Sequence, residues 1–159
     1  MANLYGPGDD FREETSHVIP ALIKKIYWSM ENNLESIDVW GDGSPTRDFL
    51  FVKDAAKILH LFLETDNVAA DTPINLGTGI ETSISSLIYQ LSSQIGFEGG
   101  ISFNNAKPNG QPRRVLNIER LTKYIGPFDF VSLNEGLAQT IEFYNYNRLM
   151  LDKQKSKFS

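Results

Sequence analysis

At 159 residues, 41% hydrophobic and 22% charged, the chain has the composition of one globular unit with its own core, which excludes disorder as the default reading. Its formal net charge of −5 argues against a general nucleic-acid or bilayer-surface binder, so neither partner is expected. With no cysteine, disulfides, thiolate catalysis and cysteine zinc sites are excluded, and His17 and His60 have no spacing that suits a histidine metal centre. The lack of cysteine fits a reducing compartment, no signal peptide or membrane span is visible, and a cytoplasmic location is expected.

The chain opens on Asn3-Leu4-Tyr5-Gly6-Pro7-Gly8-Asp9-Asp10, turn-forming almost from its first residue, as if in mid-fold. From Ser16, a candidate N-cap, Ile19, Leu22, Ile23, Ile26, Tyr27 and Met30 recur at helical spacing, with Pro20 suited to the first turn. Lys24 and Lys25 fall off that stripe. Two β-rich runs at 37–40 and 48–52 then flank Gly41-Asp42-Gly43-Ser44-Pro45, which reads as strand, tight loop, strand, a hairpin. An indole at Trp40 can cover a flat ring, and a guanidinium at Arg47 can fork onto a phosphate or carboxylate. Across a turn the two can face one ligand; equally, Trp40 can be part of the core and Arg47 solvated.

A helix over 54–64 is expected to turn Ile58, Leu59, Phe62 and Leu63 inward and His60 to the surface. A short strand at 73–76 closes on Gly77-Thr78-Gly79, and a helix capped near Thr82 follows, with Ile84, Leu87, Ile88, Leu91 and Ile95 inward. A G-x-G after a strand can cradle a cofactor phosphate, but the third glycine and the later acidic residue are missing, and a plain strand-to-helix turn is the competing reading. A brief strand at 101–103 precedes 107–114, KPNGQPRR, a loop with three cations that can grip an anion or simply connect. Asn117 can cap a short helix, and Ser132 with Glu135 is a capping box for the last one, with Leu133, Leu137, Ile141 and Tyr144 inward. The expected organisation is one α/β unit over 1–148, with 149–159, including Lys153, Lys155 and Lys157, as a basic, frayed tail.

Taken together, NLYGPGDDF, SHVIPALIKK, VWGDGSPTRDFLFVKD, NLGTGIETSI and KPNGQPRR resemble the C-terminal half of the GDP-L-fucose synthase family, within the extended short-chain dehydrogenases. The first and third motifs are shared across nucleotide-sugar epimerases and dehydratases, whereas SHVIPALI and KPxGxPR narrow the resemblance. It implies an α/β fold, the C-terminal substrate-binding portion of an epimerase/dehydratase without most of the Rossmann domain. It also implies NADP(H) as cofactor and GDP-4-keto-6-deoxy-D-mannose as substrate, taken through 3,5-epimerisation and 4-reduction. Asn3 and Leu4 match residues beside the nicotinamide. His17 matches a histidine that contacts cofactor and substrate and acts as an acid in epimerisation, a role an imidazole suits near neutral pH. On its residues alone His17 reads as an exposed first-turn side chain. Lys25, Trp40, Arg47 and the position of Asn109 match substrate contacts, the family usually having Asp where Asn109 stands; a neutral amide bonds a hydroxyl less strongly than a carboxylate.

The family's Gly-rich NADP turn and Tyr-x-x-x-Lys pair have no counterpart here, since none of the six tyrosines has a lysine four residues later. The chain is therefore expected to be a fragment, split-gene product or shortened frame, inactive alone, with a separately encoded N-terminal half as its candidate partner. The alternatives are a non-catalytic nucleotide-sugar binding module, a part of another epimerase/dehydratase, or a decayed remnant.

Overall fold

The computed structural model describes residues 1–65 and 73–153. Its elements in chain order are β1 (Asn3–Tyr5), α1 (Val18–Glu31), β2 (Ser36–Trp40), β3 (Thr46–Arg47), β4 (Phe49–Phe51) and α2 (Val52–Glu64). After the second described segment begins come β5 (Thr82–Ser83), α3 (Ile84–Ile95), β6 (Gly100–Asn104), β7 (Arg113–Arg114), α4 (Glu119–Ile125) and α5 (Leu133–Lys153). The strands form three small sheets: β1 with β4 in parallel, β2 with β6 in parallel, and β3 between antiparallel β5 and parallel β7.

The expected hairpin is not formed. β2 pairs with β6, from Ser36↔Gly100 to Trp40↔Asn104, and β4 pairs with β1. The reason lies in the side chains: Phe49, Leu50 and Phe51 are all buried, and a strand apolar on both faces belongs in a covered parallel sheet, not in a hairpin with one wet face. β2 alternates, with Ile37 and Val39 buried and Ser36, Asp38 and Trp40 outward, so only one of its faces joins the core. That core gathers Ile19, Ile23 and Ile26 of α1, Leu87, Ile88 and Leu91 of α3, and Leu137 and Tyr144 of α5. A second cluster holds Leu50, Ala55, Ile58, Leu76 and Leu121.

Several local expectations shift. The N-cap of α1 is His17, whose side chain makes no capping bond, while Ser16 N–H closes a turn onto Arg12 O at 2.9 Å. α3 is capped by Ser83, whose Oγ accepts from Ser86 N–H, and ends on Gly96 at φ 82°, where a left-handed residue is needed. No strand forms at 73–76, although Leu76 O accepts from Ala2 N–H at 2.7 Å. On α2 the buried stripe is Asp54, Ala55 and Ile58, while Leu59 and Leu63 are 56% and 86% exposed. The apolar pattern of this helix is wider than the face that packs. His60 is exposed, as expected, 3.5 Å from Glu64.

α5 does not fray at Arg148 but runs to Lys153. Leu151 is buried, Arg148 pairs with Glu31 at 2.6 Å, and the ring of Tyr144 stacks on Phe11 at 4.8 Å. Lys155 and Lys157 lie outside the described residues. Among those described, no helix is long and apolar enough to cross a membrane.

Burial, with the nearby Asp152 carboxylate, pushes the Tyr144 phenol up to about 12. A raised phenol favours the neutral form in the fold, so its stabilisation is complete below the unfolded value near 10 and is lost as pH rises from about 10 toward 12. Tyr144→Phe should remove one late step from the tyrosinate absorbance titration and flatten the alkaline loss of stability; a titration with the late step intact would refute this.

Candidate substrate site

Trp40 ends the outward row of β2 and is 63% exposed. One turn of α1 sits beside that row, and Lys25 Nζ donates to Asp38 O, two residues before the indole. Beyond Trp40, Gly41 N–H donates to Asn104 O at 3.0 Å and Asp42 N–H to Asn109 Oδ1 at 2.8 Å, which ties the 41–45 loop to the 104–111 loop. Asp42 in turn accepts from Ser44 N–H and Oγ–H at 2.8 and 2.7 Å, bonds that hold its carboxyl below the usual range. Lys107 of the second loop places its ammonium 5.4 Å from the indole centroid, a cation–π distance. Arg47 completes the rim, its Nη1 donating to Thr46 O and Gln111 O at 2.7 Å each.

Lys25, Trp40, Arg47 and Asn109, far apart in sequence, are thus brought to one end of β2 and the loops that close on it. Asn109 is held between the loops: its Oδ1 accepts from Asp42 N–H, and its side chain also bonds the Asp42 carboxylate.

Arg114, one of the three cations of the 107–114 loop, was not singled out in the sequence. In the β3–β7 register Arg47 is opposite Arg114, and in β3–β5 it is opposite Thr82, so these three side chains share one face. The other face carries Thr46 and Arg113, both bound to Glu81, with Thr46 Oγ at 2.7 Å and Arg113 Nε at 3.0 Å. Arg113 is therefore a strut, whereas Arg114 stands beside Arg47, and two like charges side by side in a sheet favour an anion. The signal was the Arg-Arg pair itself, since alternation sends its members to opposite faces once the stretch is read as a strand.

Asn3, Leu4 and His17 lie on other elements. Leu4 packs partly buried against the Leu50–Ile58 cluster, and Asn3 N–H donates to Asp48 O at 2.9 Å, so β1 is fastened to the residue that follows Arg47. His17 is exposed at the N-terminus of α1, about 12 Å along the axis from Lys25.

Asp48 was also missed. Its carboxylate is 1% exposed and accepts from Thr78 N–H (3.0 Å), Thr78 Oγ–H (2.7 Å), Gly79 N–H (3.0 Å) and Leu116 N–H (3.4 Å). The Gly77-Thr78-Gly79 turn therefore points its amides at a protein carboxylate, which settles it as a turn and not a phosphate cradle. A Cβ on Gly77 would stand 2.6 Å from Asp48 Oδ2. No group of acidic or histidine side chains among the described residues could hold a metal ion.

This fold, with parallel strand pairs, helices on their faces and a cationic and aromatic rim at one end, is an α/β fold of the epimerase/dehydratase, extended short-chain dehydrogenase type. Residues 1–77 match the NAD dependent epimerase/dehydratase family. Over most of its length the chain resembles the GDP-L-fucose synthases. It is 39% identical over 145 residues to GDP-L-fucose synthase 1 of Arabidopsis thaliana, covering 91% of this chain and 44% of that protein. It is 36% identical over 153 residues to GDP-L-fucose synthase of Escherichia coli (strain K12), covering 92% and 47%. A GDP-L-fucose synthetase from Naegleria fowleri bound to NADP superposes with a TM-score of 0.84 at 28% identity, over 92% of this chain and 46% of that one. The chain spans less than half the length of these relatives.

Proposed function

We propose that the chain is the substrate-binding part of an NADP-dependent GDP-L-fucose synthase-like enzyme acting on GDP-4-keto-6-deoxy-D-mannose, located in the cytoplasm. The observation that supports it is the convergence of Lys25, Trp40, Arg47 and Asn109 on one rim. In this reading Arg47, with Arg114 beside it, and Lys25 take the diphosphate, Trp40 covers a ring of the ligand once Lys107 moves aside, and His17 exchanges a proton with the sugar during epimerisation.

NADPH supplies the hydride for such a reduction. Of its site this chain offers Asn3, Leu4 and His17, while its sequence holds no G-x-G-x-x-G and no tyrosine with a lysine four residues on. The chain by itself therefore binds and positions the sugar nucleotide without reducing it, and the missing groups come from another segment, in the same polypeptide or a separately encoded N-terminal half. A non-catalytic nucleotide-sugar binding module is the second reading, favoured by that same shortage; activity on adding the missing half would exclude it.

Calorimetry with GDP-mannose tests the site. Two charge-assisted contacts, set against the ordering of two loops, lead to a Kd on the order of 0.1–1 mM, about −5.5 to −4 kcal/mol. Arg47→Lys should weaken binding further, because an ammonium cannot reproduce the planar fork, while His60→Ala should leave it unchanged. Unaltered binding by Arg47→Lys would remove Arg47 from the site, and substrate-dependent NADPH oxidation by the chain alone would refute its dependence on another segment.

A further inference from the structure

The 104–111 loop is seated on the end of β2 by its backbone. Trp40 and Asn104 are register partners in the ladder of β2 with β6. Asn104 then turns the chain, its O accepting from Lys107 N–H at 3.0 Å and its Oδ1 from Ala106 N–H at 3.1 Å. Ladder and turn together set Lys107 beside the indole, with its ammonium 5.4 Å from the ring centroid. At its far end the same loop meets Arg47, whose Nη1 donates to Gln111 O at 2.7 Å. Lys107 therefore hangs from a loop that runs between Trp40 and Arg47.

What Lys107 lacks is an acid. Elsewhere arginines of this chain pair with carboxylates, Arg12 with Asp10, Arg113 with Glu81 and Arg148 with Glu31. At this rim, among the described residues, none of the cations forms such a pair: Lys25 and Arg47 rest on backbone carbonyls and Lys107 on an indole. Asp42, an acid of the same rim, directs its Oδ1 at Ser44 N–H and Oγ–H. In a chain of net charge −5, cations left without acids at one place suit an anion brought from outside. A cation–π contact at an exposed site is weaker than a charge-assisted bond to a phosphate oxygen, so such an anion draws the ammonium off the indole and bares the face it covers.

We propose that Lys107 is a further binding residue for the diphosphate of the ligand: it rests on Trp40 in the free chain and exchanges the indole for a phosphate oxygen. One movement then supplies a cation and clears the ring. The proposal deepens the reading of this rim as a sugar-nucleotide site and rests on it. It makes Trp40 and Lys107 antagonists toward a bare diphosphate, and allies toward a ligand that also has a ring to stack.

The test uses the whole chain with inorganic pyrophosphate and with GDP-mannose, read by proton NMR of the Lys107 ε-methylene. Over the indole those protons are shifted upfield by the ring current, and Trp40→Leu should abolish that shift. Saturating pyrophosphate should return them to the ordinary lysine position. Lys107→Met, which keeps the length and removes the charge, should weaken pyrophosphate binding about tenfold. Trp40→Leu should bind pyrophosphate about two- to fivefold more tightly than the unaltered chain, since no cation–π contact has to be given up, and should bind GDP-mannose more weakly. Absence of pyrophosphate binding, a Lys107 signal that stays upfield in its presence, Lys107→Met binding it as the unaltered chain does, or Trp40→Leu binding it more weakly would each overturn the proposal. If the pyrophosphate results are as expected while GDP-mannose binds no more tightly than pyrophosphate, the exchange stands and the sugar-nucleotide reading falls.

Discussion

Replacement of Asp48 by alanine is expected to cost about 3–5 kcal/mol, a large share of the roughly 5–15 kcal/mol that holds a domain of this size together. The carboxylate is the acceptor for two amides and a hydroxyl of the 78–79 turn and for Leu116 N–H, and it is sealed from water. Alanine leaves those donors buried and unmatched, each loss being worth about 1 kcal/mol or more. Asp48→Asn keeps the volume but turns an NH₂ toward donors, so it should recover less than half of the loss. Because Asp48 also accepts from Asn3 N–H through its backbone and precedes β4, the damage should spread to β1 and the rim below Arg47. Urea unfolding followed by circular dichroism measures it, and a loss under about 1 kcal/mol for Asp48→Ala would show that water reaches these donors.

Asp48 illustrates what the sequence withholds. In TRDFLF an aspartate beside an arginine reads as surface charge, and only the return of the chain at Thr78 and Leu116 makes it the centre of a knot. Local periodicity was legible: Ile19, Leu22, Ile23 and Ile26 of α1 and Leu87, Ile88 and Leu91 of α3 are buried as their spacing required. Pairing was not. The partner of β2 is Gly100–Asn104, and nothing in either stretch names the other, because parallel pairing over a long connection is decided by the packing of the intervening helices. α2 failed in the opposite way, since Leu59 and Leu63 satisfied the pattern without being packed. The end of α5 was hidden by Asn145, Asn147 and Arg148, which interrupt the stripe between Tyr144 and Leu151. For the candidate site, Trp40 and Arg47 stood out as residue types around a glycine loop and Asn109 by resemblance, whereas the placing of Arg114 beside Arg47 needed the register and the bond of Asn109 to Asp42 needed the contact between loops.

That contact gives the second large effect. Gly41→Ala is expected to cost about 2–3 kcal/mol and to take GDP-mannose binding below detection. Two causes act together: Gly41 sits at φ 78°, where an L side chain is strained by about 1–2 kcal/mol, and a Cβ there would overlap Asn109 Oδ1, breaking the bond to Asp42 N–H. A cycle with Asn109→Gly separates them. The single Asn109→Gly change loses the loop-to-loop bond, about 1 kcal/mol, and loosens the loop that follows Trp40. In the double variant the side chain at 109 is gone and the Cβ meets only the backbone Cα of residue 109, at 3.2 Å, so the alanine should cost little beyond its backbone strain, and the pair should be less destabilising than the sum of the singles by about 1 kcal/mol. Strict additivity would mean that Gly41 is needed for its backbone angle alone. Then Asn109 would not brace the loop, and the placing of Trp40 would have to come from β2 and its ladder to β6.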